Sequence, residues 1–235
     1  MAANGYENRL LASLASDDLA RLQPQLKRVR LRYRQQLEAA RRPITAVYFP
    51  LAGIVSVIAM TSDRRHQTEV TLIGREGMTG CAIVLGMDAP IWSSIVQIEG
   101  DALSIGATEL IRVFEKSASL RLSLLRYVHV LLGQLAHGVV ASARGRIQQR
   151  LARWLLMAQD RMGTNELALT HDFLALMLGV RRAGVSVALD TLESQGLVFR
   201  GRGTITITDR YGLEAVCEGL YGEPEREMAR PLSTL

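Results

Sequence analysis

The chain has 235 residues, 48% of them apolar and 22% charged, with a formal net charge of +5. That length allows one or two domains, and the apolar share is too high and the net charge too low for a disordered chain. Two cysteines, Cys81 and Cys217, cannot staple a mini-fold or build a four-thiolate cluster by themselves, and no run approaches ~18 uninterrupted apolar residues, so no membrane span is expected.

The opening MAANGYENRLLASLASDDL has no basic start followed by a long apolar core, so no signal peptide is expected and the thiols read as those of a cytoplasmic protein. Leu10, Leu14, Leu19, Leu22 and Leu26 repeat at helical spacing, and Ser16 before Asp17 and Asp18 offers an N-cap with acid in the first turn; two short helices are predicted. From Lys27 to Arg34 basic and apolar residues alternate strictly, the pattern of a strand with one wet basic face. Short strands follow at Val47–Pro50, Ile54–Met60, Glu69–Ile73, Ser94–Ile98 and Ala102–Ile105, with polar turns at Thr61–Arg65 and Glu99–Asp101. Strands this short at roughly ten-residue spacing predict an antiparallel barrel or sandwich.

Helical spacing returns from Thr108 to about Asp160. Leu125, Val128, Leu132, Leu135 and Val139 form a heptad seam, the expected dimer interface, while Leu124, Val130 and Leu131 widen the stripe toward the helix's own domain. Gly145 breaks the pattern, and Ile147, Leu151, Trp154, Leu155 and Ala158 begin another helix. Thr170 then caps a short helix ending at Gly179, and Arg181 and Arg182 open a second helix carrying Val185, Ala188, Leu189 and Leu192 inward. Leu197–Arg200, the turn Gly201-Arg202-Gly203 and Thr204–Thr208 complete a winged helix-turn-helix, whose second helix enters the major groove while wing cations meet phosphate. Candidate DNA contacts are Thr170, Arg181, Arg182, Ser186, Arg200 and Arg202.

The charge follows this division. Residues 144–210 carry 10 basic and 6 acidic side chains, and residues 211–235 carry 2 basic and 5 acidic, a basic segment before an acidic, solvated end. Of the basic residues all but Lys27 and Lys116 are arginine, whose planar fork suits phosphate and guanine edges.

Val47-Tyr48-Phe49-Pro50-Leu51-Ala52-Gly53, Gly74-Arg75-Glu76-Gly77-Met78-Thr79-Gly80, Gly145-Arg146-Ile147 and the stretch Thr170–Val198 together resemble the Crp/Fnr transcription regulators over roughly residues 10–220. The resemblance implies an α+β chain: an N-terminal antiparallel β-barrel or jelly-roll sensor domain (1–117), a long dimerisation helix (118–143), a C-terminal winged helix-turn-helix (144–215) and an acidic tail (216–235). It implies a cytoplasmic homodimer on a two-fold symmetric site in double-stranded DNA, with RNA polymerase as a partner if the protein activates. It also implies a guanine contact by Arg182, with Arg181 and Ser186 reaching bases or phosphate. Many members carry glutamate immediately after that arginine; Ala183 stands there, so the family's best-known half-site need not apply.

The same resemblance names Gly74, Glu76, Gly77, Trp92, Ser93 and Ser94 as effector-pocket candidates. Glu76 is similar to the cassette glutamate that takes a ribose hydroxyl. Trp92 stands where nucleotide binders place an arginine for the cyclic phosphate, and burying that anion without a cation is costly. Arg64, Arg65 or Arg75 could substitute, but no cyclic nucleotide is expected; Trp92 would suit an apolar or aromatic effector, or simply fill the pocket. Residues 1–40 hold no cysteine, which argues against the family's iron–sulfur sensor. Haem would need a ligand from His66, His129, His137, His171, Cys81 or Met78, and none is expected, nor any other metal or cofactor.

Enzyme readings lack their motifs. There is no His-x-His pair for a cupin metal, no Gly-x-Ser-x-Gly elbow and no phosphate-cradling GxxxxGK[ST] loop. Glu76 with Asp88 or Glu99 is the only acid/base pairing the strands suggest, so no catalysis is expected. The alternative function is a sensor or partner-binding dimer that has lost sequence-specific DNA binding.

Overall fold

A computed structural model describes residues 6–63 and 65–229 of the chain. Arg64, the first five residues of the opening segment and residues 230–235 of the expected tail lie outside the described residues. The chain begins with α1 (Arg9–Ala12) and α2 (Ser16–Leu22). Asn8, not a serine, caps the first of them, accepting from the Leu11 amide at 3.0 Å while its own amide reaches the carbonyls of Pro50 and Gly77. The expected Ser16 cap is corrected: Ala15 holds the N-cap position of α2 without a side-chain bond. Asp18 is buried instead and accepts from Ser117 and Ser119.

Seven strands form the N-terminal half: β1 (Lys27–Leu31), β2 (Gln36–Glu38), β3 (Ala46–Pro50), β4 (Ile54–Met60), β5 (Gln67–Ile73), β6 (Ser93–Ile98) and β7 (Gly100–Gly106). They make two antiparallel sheets, ordered β1-β7-β3 and β2-β6-β4-β5. Leu31 and Ala102 from the first sheet meet Val55, Val57, Ile73 and Val96 from the second, so the alternating apolar faces pack against each other. The basic face of β1 is wet as expected, with Arg28 on Asp101 at 2.9 Å and Arg30 on Glu99 at 3.4 Å. Only Glu99 separates β6 from β7, a tighter reversal than the predicted three-residue turn. The three-residue strand β2 and the short helix α3 (Cys81–Val84) carry too few residues for a readable period.

The predicted long helix is three: α4 (Ala107–Lys116), α5 (Ala118–Arg144) and α6 (Ile147–Met162). Ser117 divides the first two and caps α5 through Leu120 N at 3.3 Å, and Gly145 ends α5 as expected. Helix α5 is about 40 Å long, and by length and composition it is the one described helix that could cross a membrane, which its interrupted apolar runs did not indicate. In the fold Leu120, Leu124, Tyr127, Val128 and Leu131 pack into the core beneath the barrel. This corrects the seam: Val128 is 4% exposed and serves that core, whereas Leu125, Leu132 and Val139 are 40%, 55% and 68% exposed, and Leu135 lies between the two faces. Leu122, at half exposure, joins the open stripe.

The C-terminal half comprises α6, β8 (Glu166–Ala168), α7 (His171–Leu178), α8 (Arg182–Ser194), β9 (Val198–Gly201), β10 (Thr204–Ile207), α9 (Arg210–Val216) and α10 (Glu223–Ala229). Leu151, Leu155, Leu174, Val185, Leu189, Leu192, Ile205 and Ile207 form its core, each worth about 1.5–3 kcal/mol of burial. The same core takes in Ile54 and Leu72 of the barrel, so the two halves share apolar surface. The acidic end is not simply solvated: α10 folds back against α5, and the Glu225 side chain is buried near Arg153, 3.9 Å away.

Candidate nucleic-acid interface and sensor cassette

Helix α7 starts where Thr170 accepts from Phe173 N at 3.2 Å, with Asp172 in its first turn to complement the helix dipole. It stops at Gly179, whose φ of +62° is a left-handed value that a side chain would resist. That turn seats Val180 N on Ala175 O at 3.0 Å and launches α8 from Arg181. Val185, Ala188, Leu189 and Leu192 face inward as predicted, which turns Arg182, Ala183, Val187 and Asp190 outward. No side chain caps α8, so its first N–H groups and the helix dipole are open to an anion.

The predicted contacts are in different states. Arg181 is exposed with no ion pair among the described residues. Arg182 pairs with Asp172 at 3.4 Å, but both side chains are mostly exposed and such a pair is readily exchanged for a stronger one. Ser186 hydrogen-bonds His171 Nδ1 at 2.9 Å, holding α8 to α7. Arg202 stands at the hairpin tip, exposed, beside Gly203 at φ +76°.

Arg200 differs from its expected role. Its guanidinium is clamped by Asp190 at 2.6 Å and by Glu193 at 2.5 Å, and its amide donates to Glu193 at 2.9 Å. Hydrogen bonds from Arg200 hold the Glu193 carboxyl below its usual range. Arg200 therefore ties the wing to α8 and is not a free cation for phosphate. The wing gains a third strand that the sequence did not reveal, β8 pairing with β10 through Leu167 and Ile205.

Sequence reasoning passed over Val187, which is 64% exposed beside Ala183 on the open face of α8. Its four-residue spacing from Ala183 was the available signal. Apolar side chains at such positions contact thymine methyls. It also passed over Tyr33 and Arg34, which line a crevice together with Thr170, Asp172 and Phe173. The basic alternation of β1 pointed to that edge of the barrel without showing what it would face.

The sensor candidates divide into two groups. Glu76 accepts from Gly74 N at 3.0 Å and pairs with Arg161 Nε at 2.8 Å, in a pair whose side chains are 8% and 3% exposed. Arg161 also donates to Gln134 Oε1 at 2.9 Å and to Met157 O at 2.8 Å, binding the cassette to α5 and α6. A Cβ at Gly74 would lie 2.6 Å from Arg161 Cγ, and one at Gly77 would lie 2.4 Å from the Tyr127 hydroxyl; both glycines are filled by packing, not by open space. Ser93, Ser94 and Trp92 gather elsewhere, around Glu38. Ser94 donates to Glu38, Gly80 N donates to it at 2.8 Å, and burial pushes its carboxyl above the usual range. Glu38 was missed because a lone acid at the end of a three-residue strand carries no pattern.

The substitute cations are also engaged: Arg75 donates to Asp160 O at 3.2 Å and Arg65 pairs with Asp63 at 3.8 Å. Met78 and Cys81 are buried in the core, and burial pushes the Cys81 thiol up to about 12. Among the described residues no three His, Cys, Asp or Glu side chains gather as a metal site.

Residues 149–216 match the Crp-like helix-turn-helix domain. Solved structures of similar fold include FixK2 from Bradyrhizobium japonicum, 18% identical with a TM-score of 0.68 over 81% of this chain and 96% of that one. A transcriptional regulator of the CRP family from Thermus thermophilus is 15% identical, with a TM-score of 0.68 over 81% and 97% of the two chains. The c-di-GMP responsive global regulator CLP of Xanthomonas campestris is 18% identical, with a TM-score of 0.62 over 82% and 99%. No curated protein sequence matches the chain. The C-terminal part is thus a Crp-like helix-turn-helix domain, carried in the fold of Crp/Fnr regulators.

Proposed function

We propose that this chain is a transcription regulator of the Crp/Fnr type, not an enzyme, that binds a two-fold symmetric duplex site as a cytoplasmic homodimer. The observation that carries the reading is the outer face of α8, where Arg181, Arg182, Ala183 and Val187 stand exposed at the head of an uncapped helix, next to the free Arg202 of the wing. An arginine fork at that position reads guanine bidentately, and wing cations set register on the backbone. The exposed stripe Leu122, Leu125, Leu132 and Val139 on α5 supports the dimer, because apolar positions at heptad spacing lose water only against a second helix.

Coupling to an effector would run along α5 to Gly145. The cassette itself has its carboxylate taken by Arg161, which speaks against a cyclic nucleotide there. RNA polymerase is a partner if the protein activates. Selection of a random duplex pool on the purified protein at about 150 mM salt, without added effector, tests the reading. An enriched dyad with half-sites about one helical turn apart supports it; affinity indifferent to sequence favours a sensor that has lost DNA reading.

A further inference from the structure

A cleft of about 600 Å³ separates β5 and the C-terminal half of α5 from α6 and the end of α7. It is distinct from the cassette, since neither Glu76 nor Arg161 lines it. Its size falls in the ~300–1,000 Å³ range of small-molecule sites. Most of its lining is apolar, including Val70, Leu135, Met157 and the Trp154 ring.

Three charged residues meet that apolar surface: Glu69, Arg150 and Arg153. Glu69 accepts from Trp154 Nε1 at 2.7 Å and from the Ser56 hydroxyl. Burial pushes its carboxyl up to about 7, so near neutral pH it offsets only part of the positive charge. Arg150 donates to Leu178 O. Arg153 donates through Nε to Leu220 O at 3.0 Å, yet its Nη2 is buried without a hydrogen bond, 3.9 Å from Glu225 Oε1. A buried guanidinium with a donor to spare, beside apolar surface and under excess positive charge, is stabilised by an incoming carboxylate.

We propose that this cleft binds a small amphipathic monocarboxylate, an acid head on an apolar chain or ring, held between the barrel and the DNA-binding domain. Such a ligand touches α5, α6 and α7 together, the three elements that set how the two halves of the chain are held. The proposal stands apart from DNA recognition, because its test reads ligand binding alone.

Trp92→Phe leaves Trp154 as the sole tryptophan, and Trp154 lines the cleft. Titrating this full-length variant with decanoate below its micellar range should change Trp154 emission saturably. 1-Decanol should bind at least tenfold more weakly, and so should decanoate to Arg153→Gln. Gly138→Leu should abolish binding: a Cβ there meets only Val70 O, at 3.6 Å, so the leucine suits the helix and fills the cleft. Circular dichroism checks that each variant is folded, and equilibrium dialysis of the unsubstituted chain with radiolabelled decanoate reads the same binding with both tryptophans present. Saturable binding lost in Gly138→Leu supports the proposal. No saturable binding by dialysis, equal affinity for decanoate and 1-decanol, or undiminished binding to folded Gly138→Leu overturns it.

Discussion

Arg161→Met tests how the barrel is joined to the DNA-binding domain. In the parent, Arg161 Nε and Glu76 Oε1 are 2.8 Å apart with almost no access to water. Methionine keeps much of the apolar stem but removes the charge, leaving Glu76 buried with the Gly74 amide as its hydrogen-bond donor. Removing one partner of a buried pair costs about 3–5 kcal/mol, because the other charge is left uncompensated. With a urea slope of about 2 kcal/mol per molar, the unfolding midpoint should fall by about 1.5–2.5 M. The double variant Arg161→Met with Glu76→Gln should recover most of that loss, since no buried charge remains. A single variant within about 1 kcal/mol of the parent, or a double variant no more stable than the single, would refute the view that this pair is a desolvated lock.

Glu69 makes stability depend on pH. Its folded value of about 7 lies above the ordinary 4.5, so the folded state holds the proton more tightly, and stability should fall as pH rises from about 4.5 to about 7. Allowing for partial solvent access, the span is about 2–3 kcal/mol; Glu69→Gln should flatten this part of a urea-midpoint profile, and an unchanged slope would exclude Glu69 as its source. Arg182→Ala should cost about 1–3 kcal/mol on the preferred duplex and relax one position per half-site, while Arg202→Ala should weaken all duplexes alike and lower the salt slope by about one per site; competition binding at several salt concentrations separates the two. Leu132→Glu should yield monomers in sedimentation without loss of helix content, because Leu132 is exposed within the chain; a dimer that persists would remove α5 from the interface.

The legible parts of this protein are those whose signals lie close together along the chain. Gly179 before Arg181, the Gly201-Arg202-Gly203 reversal, the alternation from Thr204 to Thr208 and the Gly145 break each state a local backbone requirement, and each element stands where its signal placed it. The inward residues of α8 followed from spacing alone, and with them the outward position of Arg182. The short strands β2 and β8 escaped because three residues define no period.

Side-chain partnerships were decided in three dimensions. Asp18 looked like first-turn acid and became the acceptor for Ser117 and Ser119; Arg200 looked like a wing cation and became a tie to Asp190 and Glu193. Val128 fitted the heptad but faces the barrel, because a helix clothed in leucine on two sides has no preference for either until something packs against it. Glu76 and Arg161 are 85 positions apart. Turn chemistry and helical period are properties of neighbouring residues and survive in sequence, so the winged helix and its arginines were determined there. Which carboxylate meets which guanidinium, and whether a cassette is open or filled, depends on chain segments brought together only when the apolar faces of barrel and helices close on one another.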